Sequence, residues 1–431
     1  MGTIEDDYRA RTPASAHVHE RAVGPLAGGD TRTSAHHDPY PVTFTHGEGP
    51  RLHDVDGNTY LDLNGNFTSL VHGNAYPPIV DQLVGVVAGG TAWAARNQWQ
   101  VELAELLAQR IDAIEQVRFT NSGTEAAMLA MHLAKATTGR PKILMARHGY
   151  HGSHEDTQAG THATTSKLDL YGGPSGEGHT TLVADFGDID AFRQVLDDHG
   201  GDIAAVLLEP VAGSIGLQPA ETDFLVGVQD ATRAAGAVFV LDEVVTFRLA
   251  SGGAQASHAG LAPDLTMLGK VIGGGFPVGA VGGRPDLLAL AAAGGPVKHS
   301  GTYNGNPVTC AAGVVSVREL TAERIAVMHD RAERLASHLA AAATATGLPV
   351  QAKQVGSLIQ LSATGATPGA LQRTASATIV NLHLAAMVEG VHFTPRGLLA
   401  LSTVLTDADI DEAGARLQAA MQRVADAARV G

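Results

Sequence analysis

Lys270 sits in the run LTMLGKVIGGG, residues 265–275, a lone ammonium between apolar residues and glycines. A lysine taken out of water has a lowered pKa and becomes a nucleophilic amine, able to form a Schiff base with an aldehyde. The plainer reading is a surface lysine in a glycine-rich turn, with Gly269 and Gly273–Gly275 letting the backbone bend tightly. Two carboxylates stand in comparable places. Glu209 follows the apolar run AAVLL and Asp242 follows AVFVL. A fourth element is Ser122-Gly123-Thr124, where a short strand gives way to a helix. Small hydroxyl residues at a helix start leave free backbone N–H groups that bind anions. Ser122 with Glu125 three residues on is also a capping-box signature, and a well-capped helix is the bland alternative.

These groups need a frame. Val117–Thr120, KILMA, TLVADF, AAVLLEP and AVFVLDEV read as strands, as do the residues from Asp264 to Leu268 and the run PVGAVGG. Helical patterns lie between several of them, including Ala126–Thr138, AFRQVL and FLVGVQDATRAAG. This alternation predicts a mostly parallel sheet buried on both faces. Ligands bind at the carboxyl ends of such strands, which is where Glu209, Asp242 and Lys270 fall. Before this region, RLHDV and NTYLDL flank an Asp56-Gly57 turn and predict a hairpin. Residues 67–78 read as a loop whose polar groups could line a pocket. After it, a long Ala-rich helix over 321–346 leads into a strand, helix, strand and helix. The expected division is an N-terminal segment (1–75), a large domain (76–320) and a C-terminal small domain (321–431), with both ends of the chain sharing the small α+β domain.

Composition narrows the partners. The chain has 431 residues and a net charge of −15, so nucleic acid and anionic membranes are not expected. An acidic ligand must be held by local positive groups. Cys310 is the single cysteine, so no intrachain disulfide forms. The N-terminus has no apolar signal core, and no run approaches a membrane span, so a cytoplasmic protein is expected. His17, His19, His36 and His37 have no Cys or Glu at ligand spacing, and no metal is expected there or at His148, His151 and His154.

An aldehyde on Lys270, an anion at Ser122–Thr124 and a ring nitrogen above Asp242 are the three handles of pyridoxal phosphate. Asp242 would keep the ring cationic as an electron sink. Tyr150 or His151, in RHGYHG, could cover its face.

The motifs TNSGTEA, GYHG, EPVAGSIG, LDEVVTFRLA, LGKVIGGGFPVGAVGGR and SGTYNGNP, in this order, resemble those of class III aminotransferases, pyridoxal-phosphate enzymes of fold type I. The resemblance covers residues 40 to 430. It implies a large domain with a seven-stranded sheet, a Schiff base at Lys270 and an Asp242 contact to the ring nitrogen. It further implies phosphate contacts from Ser122, Gly123 and Thr124, with Thr302 reaching in from the second subunit of a homodimer. Tyr150 would stack on the ring, and His151, Glu209 and Val244 would complete the cofactor site. The central motifs are similar to the glutamate-1-semialdehyde aminomutase branch. The ends, with GGDTRTS and TPRGLLALSTVLTDADID, look more like the β-phenylalanine aminotransferase branch. In the latter, Arg32 would bind the substrate carboxylate and Arg396 that of the α-amino-acid partner. The plainer alternative is that each arginine pairs with a surface carboxylate. The polar stretch 160–178 departs from that branch. The expected activity is ping-pong transfer of an amino group between a β-amino or related acid and a 2-keto acid. Intramolecular aminomutase chemistry is the alternative, and a non-catalytic regulator with the same fold is a third.

Overall fold

A computed structural model of the chain describes residues 3–161, 180–365 and 376–430. The chain forms two compact units, Pro77–Ala322 and the combination of Met1–Tyr76 with Glu323–Gly431.

The Pro77–Ala322 unit is built on a seven-stranded sheet. Its order is Gln116–Thr120, Gly279–Gly283, Leu265–Gly269, Val238–Asp242, Ile203–Leu208, Lys142–Ala146 and Thr181–Ala184. Every neighbouring pair is parallel except those made by Gly279–Gly283, which runs against both of its neighbours. The mostly parallel sheet expected from the sequence is therefore present. Ile203–Leu208 shows why the strands read as continuous apolar runs: all six residues are buried. Ala205 and Leu207 pack with Ala126, Leu129 and Leu133 of the helix Gly123–Thr138. Val206 and Leu208 face the other way, against Phe192, Phe224 and Val228 of the helices Ile189–His199 and Thr222–Ala234. A strand covered on both sides has no polar face to show, hence no period-two alternation.

The other unit joins both ends of the chain. Arg51–Asp54 and Thr59–Asp62 form the expected hairpin around Asp56-Gly57, and Phe44–Glu48 adds a third, antiparallel strand. Thr59–Asp62 also pairs in parallel with Val391–His392. A second sheet, Val350–Val355, Leu358–Ala363 and Leu398–Ala400, packs with the helices Ala322–Thr346, Ala377–Val388 and Asp407–Val430 around Leu61, Leu335, Leu361, Leu382 and Leu417. Of the segment 67–78 read as a loop, Phe67 and Thr68 continue a left-handed turn that begins at Asn66, and Pro77 and Pro78 already open the helix Pro77–Ala88. Of the polar stretch 160–178, everything after Thr161 lies outside the described residues. Among the described residues, no helix is long and apolar enough to cross a membrane.

Candidate active site

The three central strands place the chemistry. Leu265–Gly269, Val238–Asp242 and Ile203–Leu208 are parallel neighbours, so their carboxyl ends share one rim. Lys270 follows the first, Asp242 ends the second and Glu209 follows the third. Lys270 stands at φ 48°, in the left-handed region that a side chain other than glycine enters only at a cost. Such strain is held where the surroundings over-determine it, and here it fixes where the lysine leaves the strand. Burial lowers the Lys270 ammonium below its ordinary pKa, with the charges of Asp242 and Glu209 pulling the other way. Burial pushes the Glu209 carboxyl up to about 7 against the counter-pull of His151.

Asp242 is held by both oxygens. His151 Nδ1 lies 2.8 Å from Oδ2, and the backbone N–H of Val244 donates to Oδ1 at 2.9 Å. The two side chains are almost completely buried. Burial pulls the His151 pKa down, but its hydrogen bond to Asp242 and the charges of Asp242 and Glu209 raise it overall. The sequence left His151 as a possible ring cover; the fold gives it the Asp242 carboxylate as partner. Tyr150 beside it is 51% exposed, and its hydroxyl is 3.4 Å from Ser153 Oγ.

The helix Gly123–Thr138 begins next to this rim. Ser122 Oγ accepts from the Glu125 N–H at 3.1 Å, the expected cap. The reciprocal half of the capping box is displaced by one residue: the Glu125 carboxylate accepts from the Asn121 N–H at 2.8 Å instead of from Ser122. The first-turn amides of Gly123 and Thr124 have no carbonyl four residues back within the helix, which is the general condition for anion binding there. A Cβ placed on either Gly123 or Gly269 would stand 3.3 Å from Val244 Cγ1. Val244 therefore lies against both the helix start and the residue preceding Lys270. Thr302 and Tyr303 are exposed, in the loop that leads to the helix Pro307–Glu319.

Phosphorylated pyridine aldehydes need an amine, an anion cradle and a carboxylate for the ring nitrogen. The donor set of this unit suits each: a desolvated Lys270, the Ser122–Thr124 turn and a firmly held Asp242. Each Asp242 oxygen uses one of its two lone pairs internally, which leaves acceptor capacity for a ring N–H.

Arg32 and Arg396 belong to the unit formed by both ends of the chain. Arg32 Nη1 donates to Asn66 Oδ1 at 2.6 Å, and the guanidinium carbon lies 5.6 Å from the centre of the Phe67 ring. It also lines a cavity of about 240 Å³. Arg396 is exposed, and its backbone carbonyl accepts from Gln360. Among the described residues, neither guanidinium forms an ion pair with a carboxylate; Asp30, which also lines the cavity, bonds to the Arg32 backbone amide instead. Of the three histidines that share the Arg32 cavity, His37, His383 and His392, sequence reasoning notes His37 alone, and only as a rejected metal ligand. They are spread over three segments with no common spacing, so only the folded chain brings them together.

Residues 33–421 match the family model described as aminotransferase class-III. A glutamate-1-semialdehyde 2,1-aminomutase of Desulforudis audaxviator is 40% identical over 383 residues, covering 86% of this chain and 88% of the relative. A β-phenylalanine transaminase of Variovorax paradoxus is 36% identical over 419 residues, with 95% and 93% covered. A solved transaminase with PLP bound superposes with a TM-score of 0.90 at 33% identity, covering 97% of this chain and 99% of that one. Strand-end Lys270 and Asp242, the helix-start anion cradle and these likenesses lead to one conclusion: the chain belongs to the class III aminotransferases and is a pyridoxal-phosphate-dependent transaminase.

Proposed function

We propose that the enzyme moves the amino group of a β-amino acid, or a closely related acid, to a 2-keto acid in a ping-pong cycle. The observation that carries the substrate class is Arg32. Asn66 and Phe67 fix its guanidinium, yet no carboxylate of the described residues neutralises it. In a protein of net charge −15, an unneutralised planar donor is a natural clamp for a substrate acid. Arg396, exposed and without an ion pair to the described residues, serves the carboxylate of the α-amino-acid partner. The likeness to a relative named for β-phenylalanine supports this assignment.

Bound pyridoxal phosphate supplies an electron sink for negative charge developing on the amine-bearing carbon. The chain's own residues do the rest. Ser122 and the amides of Gly123 and Thr124 bind the phosphate, joined by Thr302 of a second copy of the chain in a homodimer. Asp242 holds a proton on the ring nitrogen, and His151 fixes Asp242. Tyr150 and Val244 shield the ring, and Glu209, with its pKa near 7, offers a carboxyl that can donate as well as accept near neutral pH. Lys270 anchors the aldehyde carbon between turnovers. When not engaged with the cofactor, Lys270, its pKa lowered by burial, would keep more of its Nζ unprotonated and so could take the proton from the amine-bearing carbon.

The second reading, intramolecular transfer, is favoured by the 40% identity to an aminomutase. One experiment separates the two. The purified holoenzyme is incubated with 3-amino-3-phenylpropanoate or 3-aminobutanoate and either 2-oxoglutarate or pyruvate. Formation of glutamate or alanine is expected, with a raised KM for the amino acid in Arg32→Ala. Isomerisation of an amino aldehyde with no acceptor present, and no product with either keto acid, would decide for the mutase.

A further inference from the structure

The cavity at Arg32 is unusual in what lines its interior. His37 and His383 are buried, their ring centres 4.6 Å apart, and His392 joins them from the strand Val391–His392. His383 is 1% exposed, and among the described residues neither of its ring nitrogens makes a well-formed hydrogen bond, the Phe393 backbone being the polar group that acts on it. His392 Nδ1 faces Asp62 Oδ1 at 3.5 Å, too far for a well-formed hydrogen bond, and has no other partner among the described residues. A buried imidazole with nothing to bond costs more than an apolar ring of the same shape. Yet the neighbours here include Phe44, Phe67, Leu70 and Met387, among which such a ring would pack without penalty. The space, about 240 Å³, is large enough for several waters or for a short acid.

Charge in the cavity is uneven. Asp62 is committed to the amides of Asn64 and Gly65 and to Asn74 Nδ2. Asp30 is committed to the amides of Thr31 and Arg32. Arg32 is exposed, at the open side, while His383 lies at depth. Burial holds His383 well below its ordinary pKa and His37 down to about 4, so both rings are neutral near pH 7 and can each donate and accept.

We infer that this cavity is a binding subsite for a short carboxylic acid bearing a second oxygen function, hydroxyl, keto or carboxyl, which His383 and His392 hydrogen-bond while Arg32 takes the first carboxylate. The inference rests on the proposed role of Arg32 and names the side-chain class that role would serve. An acid with a purely hydrocarbon tail leaves the imidazoles unsatisfied and binds less well. This is the asymmetry expected of any site built around buried polar groups.

The test measures equilibrium binding to the PLP-loaded full chain by calorimetry with three probes of similar length: glutarate, 4-hydroxybutyrate and pentanoate. Glutarate or 4-hydroxybutyrate should bind at least about tenfold more tightly than pentanoate. Arg32→Ala should lose all three. His383→Phe, which keeps the ring and removes both nitrogens, should bind pentanoate as before and lose the preference. His383→Gln, with a donor and an acceptor in less volume, should keep it, and serves if the phenylalanine variant does not fold. Equal binding of the three acids by the wild type, or no binding of any, overturns the inference and leaves a water-filled cavity. A preference that survives in His383→Phe also overturns it. Transamination of 3-aminobutanoate is followed on the same samples. Turnover without a probe preference removes the subsite alone, and a preference without turnover removes the proposed reaction alone.

Discussion

Asp242 shows how much of a site's chemistry depends on a neighbour that does none of it. A carboxylate at a strand end could swing or bond elsewhere, but His151 and the Val244 amide hold it by one oxygen each. Removing His151 leaves a buried charge short of one charge-assisted hydrogen bond, an interaction worth about 1.5–3 kcal/mol. We expect His151→Phe to weaken PLP binding by roughly tenfold or more, measured by dialysis. The pH at which the bound cofactor's visible absorbance titrates should also move, a readout that simple loss of packing would leave alone. His151→Asn, which can still donate, should recover part of both. Unchanged affinity and titration in His151→Phe would mean that Asp242 is positioned without it.

At the scale of elements, the site depends on how closely backbone segments approach. Gly279, the first residue of the one antiparallel strand in the large sheet, lies against the turn that starts the helix Gly123–Thr138. A Cβ added there would stand 2.0 Å from the Ser122 carbonyl oxygen and 2.4 Å from Thr120 Oγ1. Gly279→Ala should therefore push the Ser122–Thr124 turn away. Overpacking of this kind costs about 1–3 kcal/mol. The thermal midpoint should fall by several degrees and cofactor affinity should fall with it, and an unchanged midpoint would contradict the geometry. Most of this layer was legible in the residues. The parallel strands stood out because burial on both faces makes them continuous apolar runs, and Lys270, Asp242 and Glu209 fell at their ends. The strand Phe44–Glu48 was not legible, because FTHGE is polar, partly exposed and fixed by pairing with Arg51–Asp54 rather than by its own pattern. The half-box at Asn121 and the His151–Asp242 pair were hidden for another reason. Each depends on the direction a side chain takes after folding, and for the pair on a contact 91 residues apart.

For the molecule as a whole, the proposed homodimer needs an apolar surface to bury, and the Pro77–Ala322 unit offers one. Val80, Val84 and Val87 follow helical spacing on Pro77–Ala88 and are 45%, 68% and 50% exposed. Three valines on one solvent-facing stripe are what a subunit interface would bury. Val84→Glu should shift the protein from dimer to monomer in sedimentation velocity and lower activity along with it, since Thr302 is assigned to the neighbouring site. A variant that stays dimeric would place the interface elsewhere.

The unit assembled from both ends of the chain has a consequence for how the protein is made. Thr59–Asp62 hydrogen-bonds to Val391–His392, and Leu61 and Leu63 share a core with Leu417 and Met421. On the ribosome, the N-terminal segment emerges more than three hundred residues before its partners. Until they arrive, one edge of its hairpin and the leucines beneath it have nothing to cover them, a state prone to wrong pairing. The Pro77–Ala322 segment has no such wait, because all the strands of its sheet lie between its own ends. Synthesis therefore favours an order in which the Pro77–Ala322 unit folds first. A nascent chain stopped after residue 322 would expose the hairpin edge to chaperones, and the arrival of Val391–His392 would be the event that closes it.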